Sequence, residues 1–369
     1  MKFVCVQNKL AKALETTSLT SSKNQELKVL GCFLITAENN KLVIQTTNID
    51  IATQVEIPAQ VSVEGTVAVP VEIFSKVIAG NKNSQEGIEC VLEEGNLLVT
   101  TKQNTTTIKT IPHEDFPTTP YITDGNSLSL PIKQVSEGIG SVSFCAAHSN
   151  IKPELSSVFI YKEGTDMFFV CTDGFRLAEK RQPLQIDLED FSILLPITSA
   201  DLIVRMIERI DDEMELLITY TDNQISFSTD EVYITSRLVS GNFPDYKQLI
   251  PEEKNTSAVI LKSDMQDTLK LIGVFSDQFH EVSVEVKPQE KLFAFYTQNK
   301  DVGQNQSKID AALEGDDMMI KFNHRYIQDV FGSIRTDSVE MSFTEANRPL
   351  KIETVPKSGF TYIVMPLNK

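Results

Sequence analysis

The side chains best able to do chemistry are few. Among four histidines, His113 stands beside Glu114 and Asp115, a trio of the types used in acid–base work. It sits between Pro112 and Pro117 with no Ser or Cys motif tied to it, and reads as an ordinary loop. Asp173 in Thr172-Asp173-Gly174 could serve as a catalytic acid, but Asp-Gly between apolar runs is first a hairpin turn signal. Gly138-Ile139-Gly140 lacks the third glycine and the βαβ setting of a dinucleotide loop. The sequence holds no G-x-S-x-G, no P-loop and no H-E-x-x-H. Its acidic residues form no repeated pair suited to two-metal nuclease chemistry. The five cysteines (Cys5, Cys32, Cys90, Cys145, Cys171) are scattered without a C-x-x-C, so neither a disulfide framework nor a zinc site is indicated. No catalytic residue, metal or cofactor is expected.

The elements that must position such residues come from a chain of 369 residues, which at ~100–200 residues per domain suggests two to four domains. Lys+Arg is 34 against Asp+Glu 51, a formal net charge of −17. Summed over the molecule, that charge repels nucleic acid and acidic membranes, so a DNA-binding reading must show where basic charge is gathered. Apolar runs such as Met167 to Cys171 are far short of the ~20 residues that span a bilayer. The N-terminal apolar stretch is too short for a signal peptide. A reduced, cytoplasmic protein is the expectation.

The chain repeats itself. Asp115-Phe116-Pro117 returns 127 residues later as Asn242-Phe243-Pro244, and Ile111-Pro112 returns 254 residues on as Met365-Pro366. Apolar doublets at i, i+1, i+4, i+5 recur as Ile73-Phe74/Val77-Ile78, Leu202-Ile203/Met206-Ile207 and Tyr326-Ile327/Val330-Phe331. Each forms one apolar stripe on a helix. A second set, Leu10/Leu14, Val135/Ile139 and Met265/Leu269, sits half a period earlier. Each predicted helix follows a short apolar strand. Alternating segments such as Lys41 to Thr46, Gln224 to Thr229 and Ser338 to Phe343 read as antiparallel strands. The expected fold class is α+β, with three tandem domains at 1–124, 125–254 and 255–369. Each has two β-α-β-rich halves, antiparallel sheets outside and two helices inside.

Tandem duplicates suggest an arc, and arcs that associate symmetrically close into rings. The predicted helices run 7–17, 71–79, 132–140, 198–210, 262–273 and 323–332. They carry nine basic residues (Lys9, Lys12, Lys76, Lys133, Arg205, Arg209, Lys262, Lys270, Arg325) and eight acidic ones, a sum of +1 against −18 elsewhere. A comparatively basic lining within an acidic shell would attract phosphates without reading bases.

Four strings in order then resemble one family, the bacterial sliding clamp, beta subunit of DNA polymerase III. They are Cys171-Thr172-Asp173-Gly174-Phe175-Arg176-Leu177-Ala178, Ser240-Gly241-Asn242-Phe243-Pro244-Asp245-Tyr246, Phe322-Asn323-His324-Arg325-Tyr326-Ile327-Gln328-Asp329 and Tyr362-Ile363-Val364-Met365-Pro366-Leu367. The resemblance implies the DNA clamp fold, half of a closed ring, and a head-to-tail homodimer around double-stranded DNA. Such a ring tethers the polymerase III alpha subunit and so confers processivity without catalysis. A clamp loader places it with its own ATP, and other polymerases and repair proteins compete for it; no membrane is involved.

The resemblance further implies a partner-peptide pocket at Leu155, Thr172, Gly174, Phe175, Arg176, Leu177, Pro244, Gln248, Leu249, Ile363, Val364, Met365, Pro366 and Leu367. Apolar walls there would bury the peptide, and Met365 can repack around different ones. Phe175 replaces the family's His and Gln248 an Arg, so both change what the pocket prefers. Glu26-Leu27-Lys28-Val29-Leu30 departs from the family string there, leaving Lys23 as a DNA-facing candidate. Ring closure is expected where Thr106 and Ile108 meet Val274 and Phe275 of the neighbour. The competing classes are a protein-interaction scaffold without DNA, which the net charge favours, and a metal-dependent nuclease.

Overall fold

Six helices begin directly where a strand ends. They are α1 (Gln7–Thr17), α2 (Val71–Ala79), α3 (Ile132–Gly140), α4 (Ile197–Ile207), α5 (Lys262–Val274) and α6 (His324–Asp329). The strands before them are Lys2–Val6, Gly65–Pro70, Asn126–Pro131, Ser192–Pro196, Thr256–Leu261 and Met318–Asn323. Three of these strands close on proline, which cannot donate to a continuing ladder. Helix faces follow the 3.6-residue period: α1 buries Leu10, Ala13 and Leu14, α2 Phe74 and Ile78, α5 Met265, Leu269 and Ile272. The computed structural model describes all residues except 23–26, 81–85, 150, 185–187, 212 and 368–369. Lys23 therefore lies outside the described residues.

The described chain divides into two compact units. The first comprises Met1–Ser136 and Thr198–Leu238. Its five-stranded sheet runs Gln60–Val63, Lys2–Val6, Gly87–Glu93, Asn96–Thr100, Thr105–Lys109. Its eight-stranded sheet continues from Asn126–Pro131 through Glu215–Tyr220, Gln224–Ser228 and Val232–Arg237 into Ile51–Pro58, Lys41–Thr47, Cys32–Glu38 and Gly65–Pro70. The seam is antiparallel, Val232 opposite Val55 and Ser236 opposite Ile51. Phe3, Phe33 and Phe74 fill the core, Phe33 edge-on to Phe74 at 6.2 Å.

The second unit comprises Glu137–Ile197 and Val239–Lys369. Its nine-stranded sheet is joined at Arg176–Pro183 and Phe360–Val364, with Leu177 opposite Ile363. A four-stranded sheet runs Gly303–Lys308, Leu292–Asn299, Glu281–Lys287, Met318–Asn323.

Three helices differ from the sequence expectation at their termini, α4 also starting one residue early, at Ile197. α4 stops at Ile207, its backbone tightening as Arg209 N–H and Ile210 N–H reach Met206 and Ile207 three residues back. The carboxylates of Asp211 and Glu213 beyond it oppose the C-terminal end of a helix dipole. α5 runs one residue further, to Val274. α6 starts at His324, because Asn323 is its cap and accepts Arg325 N–H at 3.0 Å; Val330–Gly332 is a 3₁₀ turn.

Candidate functional site

Strands Asp166–Thr172 and Arg176–Pro183 meet at Asp173-Gly174-Phe175. Gly174 takes φ +90°, which a side chain would resist. Asp173 Oδ1 accepts the N–H groups of Phe175 and Arg176 at 2.9 and 3.0 Å. Thr172 Oγ1 accepts Gly174 N–H at 3.1 Å and donates to Arg176 O at 2.7 Å. The turn throws Phe175 outward, 61% exposed, stacked at 6.3 Å on Tyr326.

Arg176 points the other way. Its Nε donates to Asp173 at 2.9 Å, Nη2 to Phe144 O at 3.0 Å and Nη1 to Asp329 of α6, while Tyr326 and Phe144 offer ring faces. Burial works against its charge, yet Tyr362, Asp329 and Asp173 outweigh that and hold the guanidinium more firmly protonated than usual. The donors of Arg176 thus tie hairpin to helix.

The chain end docks on this hairpin. Met365 N–H donates to Phe175 O and Leu367 N–H to Lys321 O, both at 2.8 Å. Leu177, Ile363 and Val364 are buried beneath, Leu177 and Ile363 in one cluster with Tyr161, Val170 and Tyr246. Pro366 is buried, while Met365 and Leu367 are half-buried. Pro244, Gln248 and Leu249 are exposed on a segment pinned by Tyr246, whose hydroxyl lies 2.7 Å from Tyr161 Oη and donates to Glu179. Burial raises both Glu179 and Tyr246 above their ordinary values; the hydrogen bond lowers Glu179 and raises Tyr246 further. Leu155 is half-buried on a separate loop, its carbonyl accepting Ala147 N–H at 2.9 Å. The structure thus joins Thr172, Gly174, Phe175, Arg176, Leu177, Ile363, Val364 and Met365 by direct bonds and strand pairing, and links the 244–249 segment through Tyr246.

The ring-closure candidates divide. Ile108 is buried in its own core and presents no side chain, whereas Thr106 is half-buried on the open edge strand Thr105–Lys109. Val274 is 62% exposed, and the Phe275 ring lies 3.8 Å from where a Cβ on Gly303 would stand. Gly303 opens another edge strand, Gly303–Lys308.

Lys9, Lys12, Lys76, Lys133, Arg205, Lys270 and Arg325 are exposed on the helices, whereas Lys262 is half-buried and donates to Ile334 O. Lys76 pairs with Glu72 and Lys270 with Asp267. The helix carboxylates Glu137 and Asp329 are taken by Arg335 and Arg176 from elsewhere. Lys9, Lys12, Lys133, Arg205 and Arg325 carry no ion pair among the described residues. Arg209 is corrected from a helix position to the turn after α4, where its guanidinium donates to Glu15 O. All five thiols are free and buried; burial pushes Cys5 up to about 12 and Cys32 to about 11, so neither is a thiolate. Among the described residues no cluster of three or more His, Cys, Asp or Glu is placed to hold a metal, and no helix is long and apolar enough to cross a membrane.

Residues 1–120, 129–245 and 247–368 match, in that order, the family models of the N-terminal, central and C-terminal domains of the DNA polymerase III beta subunit. The chain belongs to the DNA polymerase III beta subunit family. Its fold is the three-domain α+β clamp fold, and it is a sliding clamp, a processivity factor of DNA replication. It is 24% identical over 389 residues to the beta sliding clamp of a Synechocystis species, covering 100% of this chain and 99% of that one. To the beta sliding clamp of Escherichia coli K12 it is 25% identical over 374 residues, with full coverage of both. The crystal structure of the Thermotoga maritima beta subunit aligns with a TM-score of 0.93 at 25% identity, covering 100% and 99% of the two chains.

Within this clamp, sequence reasoning missed three groups: the Asp173–Arg176–Asp329 network, the Tyr161–Tyr246–Glu179 network and the edge strand Gly303–Lys308. A signal existed for the first, since Tyr326 and Asp329 both belong to the 322–329 string.

Proposed function

We propose that this clamp works as a head-to-tail homodimeric ring around duplex DNA, holding the replicative polymerase at the template without catalysis of its own. The exposed Lys9, Lys12, Lys133, Arg205 and Arg325, without an ion pair among the described residues, would contact phosphates, a sequence-independent attraction that permits sliding. The edge Thr105–Lys109 of one protomer would pair with Gly303–Lys308 of the next, with Val274 and Phe275 packed at the join. Polymerase alpha subunit, clamp loader and repair proteins would share the pocket beside Phe175, and the ring would act in the cytoplasm.

The observation that carries this reading is the Met365–Phe175 bond, which sets the chain end beside a turn that exposes a large aromatic. Deleting residues 366–369 is expected to abolish binding of a polymerase-derived peptide while the mass in solution stays that of a dimer. Unchanged affinity would refute the pocket. Retention on circular but not linear DNA tests encirclement, and a monomeric mass would refute it.

A further inference from the structure

The loop after α5 follows directly on Val274 and Phe275, and uncharged groups fasten it. Thr297 Oγ1 has its one proton between Glu281 O at 3.1 Å and Phe275 O at 3.3 Å, and Asn299 Nδ2 donates to Ser276 O at 2.9 Å. His324 Nε2 lies 3.1 Å from Ser276 Oγ, and His324 N–H donates to His280 O at 2.9 Å. The His324 side chain is 3% exposed and stands edge-on to His280, ring centroids 5.6 Å apart.

Each ring keeps a buried Nδ1 with no hydrogen-bond partner. Ser276 Oγ also donates to Gly273 O at 3.2 Å, so it offers His324 a lone pair and selects the Nε2–H tautomer with a bare Nδ1. A second proton would set an unpaired N–H and a positive charge in a dry site. The charged neighbours offer little compensation. On α6, Arg325 adds like charge and Asp329 is held by Arg176. In the loop, Asp277 already accepts the N–H groups of Phe279 and Glu281. Glu281 and Lys321 on the adjoining strands pair with each other, as do Asp267 and Lys270 on α5. The strand Leu292–Asn299 contributes the neutral Thr297 and Asn299.

We propose that His324, packed against His280, is a proton-sensitive latch: neutral, it fastens the segment bearing Val274 and Phe275, and protonated, it releases that segment and loosens the contact between protomers. The second half rests on the homodimer proposed above; the first does not. Burial, then His280 and Arg325, outweigh Asp329 and lower His324 to about 4. A released imidazole binds protons with its ordinary affinity, near pH 6.5, so opening is favoured as pH falls from about 6.5 towards 4 and is indifferent to pH above that window.

Hydrogen exchange of the 275–280 amides in the full chain, corrected for intrinsic rates, reads the latch directly. Between about pH 7.5 and about pH 5 the opening constant is expected to rise about 30-fold, and the dimer dissociation constant to rise with it. His324→Gln can keep the Ser276 bond but takes no proton, and should flatten both responses. Should that variant fold poorly, His280→Ala, at a half-exposed site, should shrink the exchange response. Opening independent of pH, or an undiminished response in the folded variants, overturns the latch. A monomer at both pH values with the exchange response intact overturns the homodimer and supports the latch alone.

Discussion

Arg176 illustrates what one side chain can organise. Its planar donors serve Asp173, Asp329 and the Phe144 carbonyl together, while Tyr326 and Phe144 offer ring faces to the guanidinium itself. Lysine, a single point charge, can satisfy only part of that geometry. Arg176→Lys is therefore expected to leave the half-buried Asp173 carboxylate or the Phe144 carbonyl without its partner and to destabilise by about 1–3 kcal/mol. Urea unfolding should give a lower midpoint at unchanged slope, and partner-peptide affinity should fall while the proposed dimer persists. An unaltered midpoint would mean the network carries no net stability. Half of it was legible in the sequence. Thr172, Asp173 and Gly174 bond within four residues, so the turn declares itself locally. Asp329 lies 153 residues away, and no local rule couples it to Arg176; only folding brings the two charges together.

At the scale of elements, four of the six helix starts were readable to the residue because proline or a change of period marks where the strand stops, and those of α4 and α6 fell one residue away. Helix ends were less so. α4 required weighing the dipole against an acidic run, and α6 required recognising Asn323 as a cap. Glycine in α3 is another case. Gly138-Ile139-Gly140 suggested a failed dinucleotide loop, but the reason for Gly138 is packing: a Cβ there would stand 2.4 Å from the Phe169 ring on strand Asp166–Thr172. Alanine would gain about 1 kcal/mol of helix propensity. Phe169 is fully buried and its ring cannot swing into solvent, so overpacking of about 1–3 kcal/mol opposes that gain. Contact at 2.4 Å demands that α3 itself shift, which places the cost at the upper end. Gly138→Ala is expected to lower the melting temperature; a rise would show that the ring has room to turn.

For the whole molecule, the net charge of −17 pushes two copies apart as well as away from DNA, so any dimer must be held by directed bonds and apolar packing. Open edges supply such bonds. In the strand Gly303–Lys308 their direction follows from the register. Ile309 N–H donates to Phe293 O at 3.0 Å, and alternation makes Ser307 and Asn305 the next residues bonded inward. The N–H groups of Gln304, Gln306 and Lys308 therefore face away from their own sheet. Gln306→Pro removes one outward backbone donor and no inward backbone one, losing within its own sheet only the exposed bond from Gln306 Nε2 to Tyr296 Oη, so it should leave the melting temperature nearly unchanged while converting the proposed dimer to a monomer that is not retained on circular DNA. Asn305→Pro removes an inward donor and should destabilise the protomer first. If Gln306→Pro sediments as a dimer, closure does not run through this edge, and the apolar Val274 and Phe275 must hold the ring without a shared ladder.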